Sequence, residues 1–85
     1  MTDTLGAVRE VLIASLELPH RPADLSTETP LLGALPELDS MGTLVLATAL
    51  EERFAITIED EEFDAELFET VGSLTQFVES KLRQG

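Results

Sequence analysis

Residues 40–54, SMGTLVLATALEERF, carry the longest unbroken helical pattern in the chain. At about 100° per residue, Thr43, Leu46, Ala47, Leu50 and Phe54 fall on one side and form a core stripe. Met41, Leu44, Val45 and Thr48 fall on the opposite side, where solvent is expected, yet three of these four are large and apolar. A helix that is apolar on two faces is either fully buried or binds something with its second face. A chain of 85 residues has little core in which to bury a whole helix. The second face is therefore expected to be an exposed apolar strip.

The other segments show a single apolar face. Residues 4–18 place Leu5, Val8, Leu12 and Leu16 at helical spacing, with Val11 widening the face. Asp3 puts acid near the start of that helix, and Pro19 is expected to stop it at about Leu18. Residues 19–39 form a long loop. Loops beyond about 12–15 residues in a compact domain are usually functional or disordered, but Leu25, Leu31, Leu32 and Leu35 argue for a loop pinned to the helices, with Leu31 and Leu32 deepest. Ile56 and Ile58 alternate, but one strand without a partner is not viable. Residues 55–61 are read as an extended connector with Ile58 turned inward. Residues 60–68 predict a short acidic helix packing Phe63, Leu67 and Phe68. Thr70 is the expected cap of a last helix over 71–83, with Val71, Leu74, Phe77, Val78 and Leu82 as its stripe and Lys81 and Arg83 in its last turn, where cations suit the dipole. The expected fold is all-α: a four-helix bundle, one domain over residues 1–85, with a short third helix and a long first connection. The chain has no internal repeat and no low-complexity tract.

Ser40 stands where the loop (Pro30, Gly33, Pro36) meets the second helix. Taken alone, Asp39-Ser40 is a pair of good cap residues, whose side-chain oxygens accept bonds from first-turn N–H groups. The apolar strip that starts at the next residue adds a second reading. A helix N-terminus presents free N–H groups and a positive dipole end, which suits a phosphate ester on that serine.

Charge and composition narrow the chemistry. The formal net charge is −12 and there is no cysteine. Residues 1–36 carry five acids and two arginines, residues 37–69 carry eleven acids and only Arg53, and residues 70–85 carry Glu79 against Lys81 and Arg83. Acid is concentrated around the second and third helical segments. This excludes nucleic acid, since few cations are present to replace its counterions, and favours basic partner surfaces. The missing cysteine removes disulfides, thiolate metal sites and a thiol nucleophile. The acid run Glu59-Asp60-Glu61-Glu62 is interrupted by Phe63 and Ala65 and has no central glycine, so it lacks the pattern of a calcium loop. No metal is expected. His20, the only histidine, has no nucleophile and no orienting acid in any arrangement the sequence offers. No run approaches the roughly 18 apolar residues of a membrane span. The N-terminal stretch Met1-Thr2-Asp3-Thr4 lacks the pattern of a secretory signal, so the cytoplasm is the expected location. No catalytic residue is expected, and one serine presented at a helix start remains.

Asp39-Ser40-Met41, Ala49-Leu50-Glu51-Glu52-Arg53-Phe54, Ile58-Glu59-Asp60-Glu61-Glu62 and Thr70-Val71-Gly72-Ser73-Leu74 together resemble the acyl carrier proteins over nearly the whole chain. Met41 stands where that family usually has leucine. The resemblance implies that Ser40 is esterified by 4′-phosphopantetheine, transferred from coenzyme A by a phosphopantetheinyl transferase, with Asp39 and Met41 as flanking motif. It implies a carrier, not an enzyme, that holds an acyl group as a thioester and presents it to acyl-loading and acyl-transfer enzymes with basic docking surfaces. The helices would part to shelter an apolar acyl chain. The implied partner surface comprises Glu37, Met41, Leu44, Val45, Thr48, Glu52, Asp60 and Glu61 on a monomer with no membrane insertion. Typical fatty-acid carriers have a glutamate where Val45 stands and an acid where Gly42 stands. These departures, and the Leu31-to-Leu38 loop sequence, resemble carriers of specialised lipid, polyketide or polysaccharide-modification pathways. The alternatives are an aminoacyl or D-alanyl carrier and a non-acylated acidic interaction module that binds a basic partner through its second helix.

The concentration of acid between Glu37 and Glu69 generates a first prediction. Like charges on so small a surface repel, and salt screens exposed charge. The thermal midpoint is expected to rise with ionic strength or added divalent cation; an unchanged or lowered midpoint would show that the repulsion does not limit stability.

Overall fold

A computed structural model describes residues 3–19 and 21–84, apart from the side chain of Pro22. Met1, Thr2, His20 and Gly85 lie outside the described residues. Three α-helices carry the architecture: α1 (Thr4–Leu16), α2 (Ser40–Phe54) and α3 (Val71–Gln84). Single 3-10 turns occur at Pro22–Asp24 and Asp60–Glu62. Helix α1 packs against both α2 and α3. The described residues contain no strand, only an isolated antiparallel bridge between Pro30 and Thr70.

One core runs through all segments. Val8, Leu12, Leu46, Leu50, Val71, Leu74 and Val78 are fully buried, and the loop contributes Leu25 and Leu31 at the same depth. Ile58 is turned inward, as the connector's alternation implied. The loop departs in part from its expected pattern. Leu32 is 42% exposed, whereas Leu38, which carried no periodic signal, is buried. Leu31 and Leu32 both donate backbone bonds, to the carbonyls of Glu69 and Phe68, and the chain turns at 32–34, which carries the second leucine outward. Leu82, expected in the α3 stripe, is 38% exposed, and Thr43 is half-buried rather than in the core.

Helix ends follow backbone chemistry more than the proline signal. Helix α1 stops at Leu16, two residues before the expected limit, because Glu17 adopts a left-handed conformation (φ 53). The Glu17 N–H then closes on Ile13 O, as does the N–H of Leu18, at 3.1 Å. Helix α2 ends the same way at Ala55 (φ 55), with Ile56 N–H reaching Glu51 O at 3.2 Å. Helix α3 starts on a reciprocal cap: Ser73 N–H donates to Thr70 Oγ1 and Thr70 N–H donates to Ser73 Oγ, both at 3.0 Å.

The expected short third helix over 60–68 is not an α-helix. Asp60–Glu62 forms one 3-10 turn, Phe63 is extended (φ −78, ψ 101), and a separate turn covers 65–68. Side chains compete with a helical ladder here. Glu59 N–H donates to Glu62 Oε1 at 2.8 Å and Leu67 N–H donates to Asp64 Oδ1 at 2.9 Å. The first turn is tied to α3 by the Lys81 Nζ to Glu62 Oε1 ion pair at 2.7 Å. The hydrogen bond from Lys81, with a backbone bond, holds the Glu62 carboxyl below its usual pKa.

The long loop is fastened across the start of α3 by four backbone bonds. Leu31 and Leu32 donate to Glu69 and Phe68, while Val71 and Gly72 donate to Thr29 and Thr27, the last at 2.8 Å. A Cβ on Gly72 would lie 2.8 Å from the Thr27 carbonyl oxygen and 3.2 Å from its Cβ. Gly72→Ala is therefore expected to cost about 1–3 kcal/mol, as overpacking does, read as a lowered urea midpoint. An unchanged midpoint would mean that this fastening gives way without cost.

Candidate functional site

The site begins with the chain's approach to α2. Leu38 is buried and its N–H donates to Leu35 O at 3.0 Å, which anchors the residue before Asp39. Asp39 is extended and caps the helix alone: its carboxylate accepts from Gly42 N–H at 2.8 Å and its carbonyl from Thr43 N–H at 2.9 Å. Ser40 is thus the first helical residue and not a second cap. Its side chain is exposed, and among the described residues its hydroxyl makes no hydrogen bond. Thr43 Oγ1 donates to Ser40 O at 2.8 Å and steadies the turn below it.

Gly42 explains how the loop lies so close. It is buried, and a Cβ there would overlap the Glu37 carbonyl oxygen. A larger residue at this position would push the Pro36–Leu38 stretch off the first turn of α2.

The outer face of α2 is the one the periodicity drew. Met41, Leu44 and Val45 are 68%, 57% and 42% exposed, with Thr48 and Glu52 exposed beyond them. Leu46, Ala47, Leu50 and Phe54 are buried behind them. Glu37 is exposed beside the first turn, and Asp60 lines a cleft with Leu44 and Thr48. Glu61 lies elsewhere, lining a cleft with Leu67 and Phe77 on the α3 side. Glu51 is half-buried, and its carboxylate accepts from Ile58 N–H at 2.8 Å, which fastens the connector to α2. Two further contributors were not expected at the site, Leu32 having been expected in the core. Ser15 of α1 lines an apolar groove with Leu44, Val45 and Ala49, and exposed Leu32 reaches the neighbourhood of Thr43.

These features accept a phosphate ester. The Asp39 carboxylate is committed to Gly42, while the N–H groups of Ser40 and Met41 have no partner among the described residues. Two free donors at the positive end of a helix, beside an unbonded and exposed hydroxyl, fit an anionic group attached at Ser40. Among the described residues no group of three acidic or histidine side chains is placed to hold a metal ion, and no helix is long and apolar enough to cross a membrane.

Two comparisons bear on the site. The family described as "Phosphopantetheine attachment site" matches residues 7–78. The fold is similar to the solution structure of a holo acyl carrier protein from Nitrosomonas europaea, with a TM-score of 0.86 and 46% sequence identity over 96% of this chain and 99% of that one. With most of its length matched and its backbone superposing on a holo carrier, the chain belongs to the phosphopantetheine-bearing acyl carrier protein family, as a carrier with a covalent 4′-phosphopantetheine and not an enzyme.

Proposed function

We propose that Ser40 is the residue that bears the 4′-phosphopantetheine and that the outer face of α2 is what partner enzymes read. The observation that carries the attachment is the exposed Ser40 hydroxyl, free of hydrogen bonds among the described residues, beside two unpaired N–H groups. Asp39 holds that first turn in place through Gly42. The thiol at the end of the group carries the acyl chain as a thioester, and so supplies the sulfur that the cysteine-free sequence lacks.

The partner surface is Met41, Leu44, Val45 and Thr48, edged by Glu37, Glu52 and Asp60, with Glu61 on the flank towards α3. A phosphopantetheinyl transferase and acyl-loading and acyl-transfer enzymes dock there by apolar contact within a rim of basic residues, which complements the acid around them. The protein works as a cytoplasmic monomer and as a single domain. Val45 in place of an acid makes the strip more apolar than that of typical fatty-acid carriers, which supports a specialised lipid, polyketide or polysaccharide-modification pathway.

Incubation with coenzyme A, magnesium and a broad-specificity transferase is expected to modify Ser40 alone, as mapped by peptide mass. Ser40→Ala should stay unmodified and keep its stability to within about 0.5 kcal/mol, because Asp39 and not Ser40 is the cap. Attachment at Ser15, Ser26, Ser73 or Ser80 would overturn the assignment.

Val45→Glu tests the docking face. Because Val45 is 42% exposed, the variant is expected to melt within a few degrees of the parent. Its transfer kinetics with apolar-docking partners should fall while those with fatty-acid-type partners rise. Native melting with unchanged kinetics towards both would leave Val45 outside the docking face.

A further inference from the structure

Two open clefts lie on the flank of α2 that faces the connector. One, of about 320 Å³, runs between Leu44, Thr48 and Glu51 of α2 and Ile58 and Asp60 of the connector. The other, of about 240 Å³, lies between Leu32 of the long loop, Thr43 of α2 and Phe68. Among the described residues Phe63 alone lines both. Its place is firmly set. The backbone there is extended between two turns, and the ring is half-buried, tilted 42° to the ring of buried Phe68 at a centroid distance of 6.1 Å.

Both clefts are within reach of Ser40. Thr43 and Leu44 lie three and four residues further along α2, about one turn away on neighbouring faces. The core beyond is filled by fully buried Leu46, Leu50, Leu31 and Leu74, so an acyl chain on an arm folded back from Ser40 along α2 meets the clefts before anything deeper. Their charge restricts what beds there. Glu51 and Asp60 edge the first and Asp64 the second, and among the described residues neither is lined by a cation.

We propose that Phe63 divides the acyl-sheltering flank of this carrier in two, so that it shelters a short, uncharged apolar acyl chain and leaves the far end of a long one in water. The proposal rests on attachment at Ser40. Burial of apolar surface stabilises in proportion to area. A chain that fits one cleft gains with each carbon, and a chain that must cross the Phe63 ring stops gaining.

The experiment uses the full chain loaded with butanoyl, octanoyl or dodecanoyl pantetheine, with the load confirmed on the Ser40 peptide by mass. The readouts are the melting midpoint and the NMR shifts of Phe63 and Thr43. In the parent, the midpoint should rise from butanoyl to octanoyl and change little to dodecanoyl, with Phe63 shifting on loading. In Phe63→Ala it should keep rising to dodecanoyl. Phe63→Leu, which keeps an apolar group against Phe68, should show the same trend more weakly and serves if the alanine variant does not fold. An octanoyl chain ending in a carboxylate should give a smaller rise than octanoyl. A parent midpoint that climbs equally through dodecanoyl, or a carboxylated chain that stabilises as well, overturns the proposal. So do unmoved Phe63 shifts, which would assign the clefts to a partner's side chains. An arm found on another serine refutes the attachment reading instead, which the mass step shows before any melting is done.

Discussion

The rotation of α2 about its own axis is the constraint on which the rest depends. Leu46, Ala47, Leu50 and Phe54 are buried, and each large apolar side chain removed from water contributes about 1.5–3 kcal/mol. Turning the helix by half a turn would exchange that face for Met41, Leu44, Val45 and Thr48. Three large apolar side chains would still be buried, but the Phe54 ring would leave the core and the Thr48 hydroxyl would enter it at a cost. Once the inner face is fixed, Ser40 and Met41 have only one direction in which to point. The helix start is fixed separately, by the Asp39 carboxylate on Gly42 N–H and by the loop carbonyl of Glu37 pressed against Gly42. Rotation and register together turn an ordinary serine into a presented one.

The acid that surrounds this helix is tolerated because little of it is buried. Besides the Asp39 cap, the Glu59–Glu62 capping box and the Asp64 turn, Glu51 and Glu62 are put to structural use near α2 and the connector. Glu51 accepts a backbone bond from Ile58, and Glu62 pairs with Lys81. The Glu62 pKa is lowered in the fold, so its contribution is present above the unfolded value and is lost as the pH falls through the folded one. Because the pair is near the surface, its effect is small and screened by salt. Its use is to hold the Asp60–Glu62 turn against α3 while Phe63, next in the chain, turns towards α2.

The sequence was most legible where one period governed a long segment. The limits of α2, its two faces and the Thr70 cap all follow from spacing and cap chemistry. Legibility failed where tertiary backbone bonds decide. Nothing local distinguishes Leu31 from Leu32; their difference comes from the carbonyls of Glu69 and Phe68, some forty residues away. Leu38 is buried because the chain must descend to Asp39, which no periodicity records. The end of α1 was missed because Glu17 takes a conformation usually left to glycine. The third helix was over-read: its apolar spacing is helical, but Asp64 takes the Leu67 N–H that a continuous ladder would use.

The structure also separates the two departures from the fatty-acid carriers, which the sequence presented as one. Gly42 has a packing reason to be glycine, since any side chain there would meet the Glu37 carbonyl. Its lack of an acid therefore follows from how this loop approaches α2 and says nothing about partners. Val45 has no such reason. It is exposed on the outer face, and the fold would accommodate glutamate there without burying its charge. The fold leaves this position free, and an apolar side chain there, which water penalises, suits the partner contact we propose. In the docking we propose, the specificity of the strip falls to Val45, with Leu44 beside it, and not to the missing acid at Gly42.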